Sequence, residues 1–250
     1  MRKFEDLPMT TDKSMTYAGI GHRDLGDFTE PNTKEPVENV MAWIAGKLEQ
    51  LGYTLNSGGA KGADAAFEYG VKDAVHKNIF RPSDATEETR AIAQELHPSH
   101  EGLKGHALDL YARNTNQVFG RNLDKTIDFI VCYTKDGCES YTTRSRDSGG
   151  TGQAIEMATR KGAPVFNMKN ADWFVRLKRF LNESGTLSAD ADFELVGAKF
   201  PQVPAEITAF TPKNSNAGKT QQGFRDRLPA KSAPAMSAKQ IKALMKSVKR

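Results

Sequence analysis

Cysteine and histidine are scarce in this 250-residue chain, with two of the first and five of the second. Cys132 and Cys138 are too few for a disulfide framework, and Cys132 lies in an apolar run where a buried thiol is ordinary. The histidines, at 22, 76, 97, 100 and 106, do not stand at ligand spacing, so no metal site is expected, and no cofactor. Three of them fall in HPSHEGLKGH, residues 97 to 106, where Pro98, Gly102 and Gly105 predict an irregular loop with solvated histidines. No run of 18 apolar residues occurs, and the opening MRKFEDLPMTTDK has no apolar signal region. The expectation is therefore a soluble, cytoplasmic protein with no membrane span. No internal repeat is evident.

Charge is unevenly placed. Residues 211–250 hold ten Lys or Arg against one acid, Asp226, a net of +9, so the overall +4 leaves −5 for residues 1–210. Lys239, Lys242, Lys246, Lys249 and Arg250 lie in a last segment that reads as a helix. Ser237 and Gln240 make a capping box, and Ile241, Leu244, Met245 and Val248 form an apolar stripe. A basic amphipathic helix of this kind binds nucleic acid, lies on an anionic surface or docks on a partner, and all three alternatives stand.

The most informative stretch is Leu55-Asn56-Ser57-Gly58-Gly59-Ala60-Lys61-Gly62-Ala63-Asp64. It reads as the end of a buried strand, a glycine turn and the first turn of a helix. Such a turn brings main-chain N–H groups and the positive end of a helix dipole to one place, which makes a phosphate the natural guest. The bland alternative is a connection that merely needs glycine.

A first strand is predicted from Thr16 to Ile20, ending in Gly21-His22-Arg23, which places a cation where the backbone turns. Arg23 either pairs with a phosphate or carboxylate or is simply exposed. Val37, Val40, Met41, Ile44, Leu48 and Leu51 follow at helical spacing, then the strand at 53–57. A short third strand is expected at 77–80 and a helix at 85–96. A further helix, 103–119, presents Arg113 and Asn114. Residues 128–133, DFIVCY, are the most apolar run and read as a central strand buried on both faces. A polar loop bearing Arg144 and Arg146 leads to Gly149-Gly150-Thr151-Gly152-Gln153 and a helix to Lys161, a second strand, glycine turn and helix junction. A strand at 163–168, a helix at 173–181 and an edge strand at 193–196 complete the reading. The predicted fold is α/β, Rossmann-like and doubly wound, with a mostly parallel sheet, helices on both faces and a basic C-terminal tail. The predicted organisation is a polar leader over 1–15, one main domain over 16–182, an extension over 183–210 and the basic segment over 211–250.

Four of these segments together resemble the SLOG superfamily, which unites the DNA-processing proteins DprA or Smf with the LOG-type nucleotide hydrolases. They are Gly19-Ile20-Gly21-His22-Arg23, Ser57-Gly58-Gly59-Ala60-Lys61-Gly62-Ala63-Asp64, Ala112-Arg113-Asn114 and Gly149-Gly150-Thr151-Gly152. They keep the family order across 16–182, and the compact size with a tail looks like DprA-like proteins of bacteriophages. The resemblance implies a nucleotide or phosphate site at Gly21, His22, Arg23, Ser57, Gly58, Gly59, Gly62, Asp64, Asn114, Gly149, Gly150, Thr151, Gly152 and Gln153. In the LOG branch an arginine and a glutamate act at the ribose of a nucleoside monophosphate. The matching residues are Arg113 and Glu156, with Gln153 standing where that branch has threonine. Such a carboxylate stabilises an oxocarbenium-like state or activates water, and its alternative role is a first-turn partner of the helix dipole. Asp64 likewise binds a ribose hydroxyl or caps its helix. The DprA branch binds single-stranded DNA and helps load a recombinase. Its winged helix is not apparent here.

Two functions are therefore expected in order. The first is binding of a nucleotide or nucleotide-derived ligand at the paired glycine turns, extending to hydrolysis of an N-glycosidic bond. The second is a DprA-like single-stranded DNA accessory that uses the basic tail. The resemblance also implies a homodimer.

Overall fold

A computed structural model describes residues 1–10, 13–97, 102–188 and 191–209. Five strands, β1 (Thr16–Gly21), β2 (Thr54–Ser57), β3 (Lys77–Ile79), β4 (Phe129–Tyr133) and β5 (Val165–Asn167), form one sheet in the order β3-β2-β1-β4-β5. Every pairing is parallel, with Tyr17 opposite Leu55 on one side and Phe129 on the other. The chain winds outward from β1 through β2 to β3, then crosses back to β4. That reversal between β1 and β4 is the topological switch point, and the carboxyl ends of the strands there are where α/β sheets hold their ligands.

Strand alternation decides which helices cover which face. Tyr17, Leu55, Phe129, Val131 and Phe166 point into a core with α1 (Val37–Gln50), α2 (Ala63–Gly70) and α6 (Trp173–Glu183). Ala18, Ile20, Ile130, Cys132 and Val165 point the other way, into a core with α3 (Glu87–Glu95), α4 (Gly105–Phe119) and α5 (Thr151–Arg160). All five residues of β4 are buried, as its unbroken apolar run implies for a strand covered on both faces. The fold is therefore α/β and Rossmann-like. No helix among the described residues is long and apolar enough to cross a membrane.

Three expectations are corrected. Residues 193–196 form no strand. Phe193 and Leu195 are buried, but Phe193 packs on Trp43 of α1 and stacks on Phe174 of α6, so their alternation serves the helix layer and not a ladder. The opening segment read as a polar leader is anchored to the fold where it is described. Phe4 and Leu7 sit in the core beside α5, Lys161 donates to the carbonyls of Glu5 and Leu7, and Arg2 pairs with Glu88. His97 also departs from the solvated loop expected of it, being buried with its ring edge-on to Tyr111. His106 is exposed in the first turn of α4, and His100 lies outside the described residues.

After α6 the chain runs irregularly to a short helix, α7 (Ala205–Thr208). Val203 N–H donates to Asn39 at the start of α1 (2.9 Å), and Gly62 N–H at the start of α2 donates to Thr208 C=O (3.1 Å). Residue 209 therefore ends beside the glycine turn. The amphipathic helix expected at 237–249, with Lys239, Lys242, Lys246, Lys249 and Arg250, lies outside the described residues.

Candidate functional site

The strand β2 ends in Ser57 and the chain turns at Gly58-Gly59 before α2. A β-carbon on Gly58 would lie 2.5 Å from Arg113 Cζ and 2.8 Å from Asp64 Oδ2, so one guanidinium and one carboxylate close over this glycine from opposite elements. Arg113 Nη1 donates to Gly58 C=O at 2.8 Å, while its Nε is buried without a hydrogen-bond partner. Burial pushes the Asp64 carboxyl up to about 6, against the opposing pull of Arg113 and of the Ala60 N–H. The two do not form an ion pair among the described contacts. A buried charged donor with no acceptor is costly, and an anionic ligand oxygen is what would satisfy it.

Two more arginines bear on this turn. Arg23 follows β1, and its charge acts on both Asp64 and Arg113. Its backbone packs so closely on Gly62 that a β-carbon there would lie 2.3 Å from Arg23 O. Arg81 follows β3, with Nη1 3.4 Å from the place of a β-carbon on Gly59. Sequence reasoning missed Arg81. Its signal was available, since it leaves the carboxyl end of a predicted strand just as Arg23 does.

Four main-chain amides of this turn are engaged within the protein, while those of Gly58 and Lys61 donate to no protein acceptor among the described residues. Gly59 N–H donates to Ser57 Oγ (3.3 Å), Ala60 to Asp64 (3.3 Å), Gly62 to Thr208 C=O and Ala63 to His22 C=O (3.1 Å). Ser57 Oγ in turn donates to Glu68 at 2.5 Å. An anion at this turn would meet the guanidinium groups of Arg113 and Arg81, with few main-chain N–H groups left to join them.

The second junction is built differently. The N–H groups of Gly150 and Thr151, which open α5, donate to no protein acceptor among the described residues. His22 stands beside Gly149, its Nε2 at 2.9 Å from Asp147 C=O, and burial pushes its imidazole down from its ordinary value. Gln153 and Asn114 point inward. Gln153 Nε2 donates to Ala93 C=O (3.0 Å), and Asn114 Nδ2 donates to Gln153 Oε1 and to Gly150 C=O, which ties α3, α4 and α5 together. They shape the α5 end and do not face outward from it.

Glu156 is held elsewhere. Its Oε2 accepts from Arg144 Nη1 at 2.5 Å and its Oε1 pairs with Arg160 at 2.7 Å. Arg113, by contrast, reaches Gly58, and the two share no contact. The two residues expected to act at one ribose thus have separate partners. No family model, curated protein or solved structure matches this chain. The assignment accordingly rests on geometry. At the carboxyl edge of β1, β2 and β4 the structure gathers Gly21 to Arg23, Gly58, Gly59, Asp64 and Arg113, adds Arg81, and sets the two unpartnered amides of α5 after β4, beyond the β1–β4 switch point.

Proposed function

We propose that this protein binds a nucleotide or nucleotide-derived ligand at the carboxyl edge of its sheet. The observation that carries the reading is that Arg113 and Arg81 both reach the Gly58–Gly59 turn, with Arg113 Nε buried and unpartnered and the charge of Arg23 acting on Arg113 and Asp64. Guanidinium groups pair with phosphate in two parallel bonds, and the α5 amides offer a second anchor beyond the switch point. The resemblance of the four motifs to the SLOG superfamily supports the same reading. The proposal is of binding. Hydrolysis of a glycosidic bond would require Arg113 and Glu156 at one ribose, and Glu156 is engaged by Arg144 and Arg160. Calorimetric titration of the full chain with nucleoside mono-, di- and triphosphates tests the reading, with each mixture then assayed for free base. The expected result is one ligand that binds wild type and is lost in Gly59→Asp and Arg113→Ala. Binding indifferent to both variants overturns it.

One observation favours a second reading, in which single-stranded DNA is the ligand. Thr208 C=O rests on Gly62 and Glu206 C=O accepts from Lys61 Nζ (2.8 Å), so the +9 segment at 211–250 joins the chain beside the turn. A polyanion spanning both would show binding that falls steeply with salt. Deleting residues 211–250 should then flatten that salt slope, and an unchanged slope would rule this reading out.

A further inference from the structure

A cleft of about 940 Å³, with no residue of the Gly58–Gly59 turn in its wall, lies along α5 and is lined among others by His97, Tyr141, Arg144, Glu156 and Arg160. Its organising residue is Arg144, which the sequence places in a polar loop with no motif around it. The side chain is only 4% exposed, and it crosses α5 where Gly152 leaves room: a β-carbon there would sit 3.1 Å from both Arg144 Cγ and Nε. The last glycine of the second turn therefore accommodates an arginine. Glu156 holds Arg144 by Nη1 alone and holds Arg160 with its other oxygen, which fixes the guanidinium plane and leaves the trio at a net +1. Nε and Nη2 of Arg144 are buried with no hydrogen-bond partner. These two donors form the edge of guanidinium that makes parallel bonds to a pair of acceptor oxygens. A charged edge left this way in a protein interior is unfavourable unless something completes it. Beside it, Arg160 lies over the Tyr141 ring at 5.0 Å from its centroid, and the ring is 48% exposed. The pair forms a flat platform at the cleft.

From this geometry we infer a second ligand site in the α5 cleft, for a small molecule bearing a carboxylate or phosphate whose oxygens take the Nε–Nη2 edge of Arg144, with a flat moiety on the Arg160–Tyr141 platform. The site shares no lining residue with the Gly58–Gly59 turn. Calorimetry on the full chain with inorganic phosphate, AMP and succinate tests it, in wild type, Arg144→Lys, Arg160→Ala, Tyr141→Ala and Arg81→Ala. Arg160 and Tyr141 are surface residues, so their variants fold even where Arg144→Lys does not. The site predicts that at least one probe shows binding that both Arg160→Ala and Arg144→Lys weaken about tenfold or more, whatever Arg81→Ala does to binding at the Gly58–Gly59 turn. Tyr141→Ala should weaken AMP more than phosphate. Binding of phosphate and AMP alone assigns the phosphate class, and binding of succinate alone the carboxylate class. The inference is overturned if no probe binds, or if all binding is insensitive to Arg160→Ala or to Arg144→Lys, including the case in which it is lost in Arg81→Ala and so belongs to the glycine turn.

Discussion

Replacing Gly58 by alanine perturbs the proposed site at its centre while leaving the backbone free to keep its path. The new methyl would stand 2.5 Å from Arg113 Cζ, 2.8 Å from Arg113 Nε and 2.8 Å from Asp64 Oδ2. Carbon contacts are optimal at about 3.5–4.0 Å, so the guanidinium must retreat by roughly 1 Å. All three atoms are ends of side chains, not main chain, and the fold should absorb the change at about 1–3 kcal/mol, the usual cost of overpacking. The retreat breaks the 2.8 Å bond from Arg113 to Gly58 C=O and withdraws the guanidinium from the turn. A hydrogen bond from a charged group contributes about 1.5–3 kcal/mol, so nucleotide affinity should fall roughly 10- to 100-fold. Thermal unfolding measures the first effect and calorimetric titration the second. Gly19→Ala is the control. Its methyl would meet Phe67 Cγ at 2.6 Å and Leu55 Cδ1 at 2.7 Å in the core, so stability should drop with little change in affinity. Wild-type nucleotide affinity in Gly58→Ala would refute the reasoning.

Three further outcomes are expected. The Asp64 carboxyl rises from 3.8 to about 6, chiefly through burial, so the folded state holds its proton more tightly than the unfolded state. Its contribution is greatest in acid and is lost as pH climbs from 3.8 to about 6, by up to about 3 kcal/mol, and Asp64→Asn should flatten that part of the stability curve from urea unfolding. Leu195→Ala should cost about 2–5 kcal/mol in the same assay, as expected of a buried core leucine and not of an exposed extension. Glu30 is fully buried and accepts bonds from Trp173 Nε1, Asn32 and Thr33. Glu30→Ala strands these donors and should lower stability by about 3 kcal/mol or more, whereas Glu30→Gln keeps part of the set and should cost less.

How far the sequence reveals the fold depends on where each signal resides. Residues 129–133 are apolar without a break, and only a strand covered on both faces uses them so. The stripe from Val37 to Leu48 fits only a helix packed along one side. Phe193 and Leu195 defeated the same logic, because two apolar residues at a spacing of two also suit an irregular segment pressed on Trp43 and Phe174. Phe4 and Leu7 carry no period at all, so their burial against α5 could be learned only from the folded chain. The site was legible where local chemistry marks it. Gly58, Gly59 and Asp64 share one turn, whereas Arg81 joins them only through the pairing of β2 with β3. Gln153 and Gly152 read as ligand residues beside their glycines. Their neighbours are Ala93 from distant α3 and Arg144 from the preceding loop, and each gives a packing role that no local pattern carries.

The position of a bound phosphate is the most direct test of the Gly58–Gly59 site. A crystal structure with the tightest-binding nucleotide from the panel would show it. The prediction is a phosphate within hydrogen-bonding distance of Arg113 and of Arg23 or Arg81 at the Gly58–Gly59 turn, with Arg113 Nε satisfied. A nucleotide found elsewhere, with Arg113 Nε still unpartnered, would contradict the account.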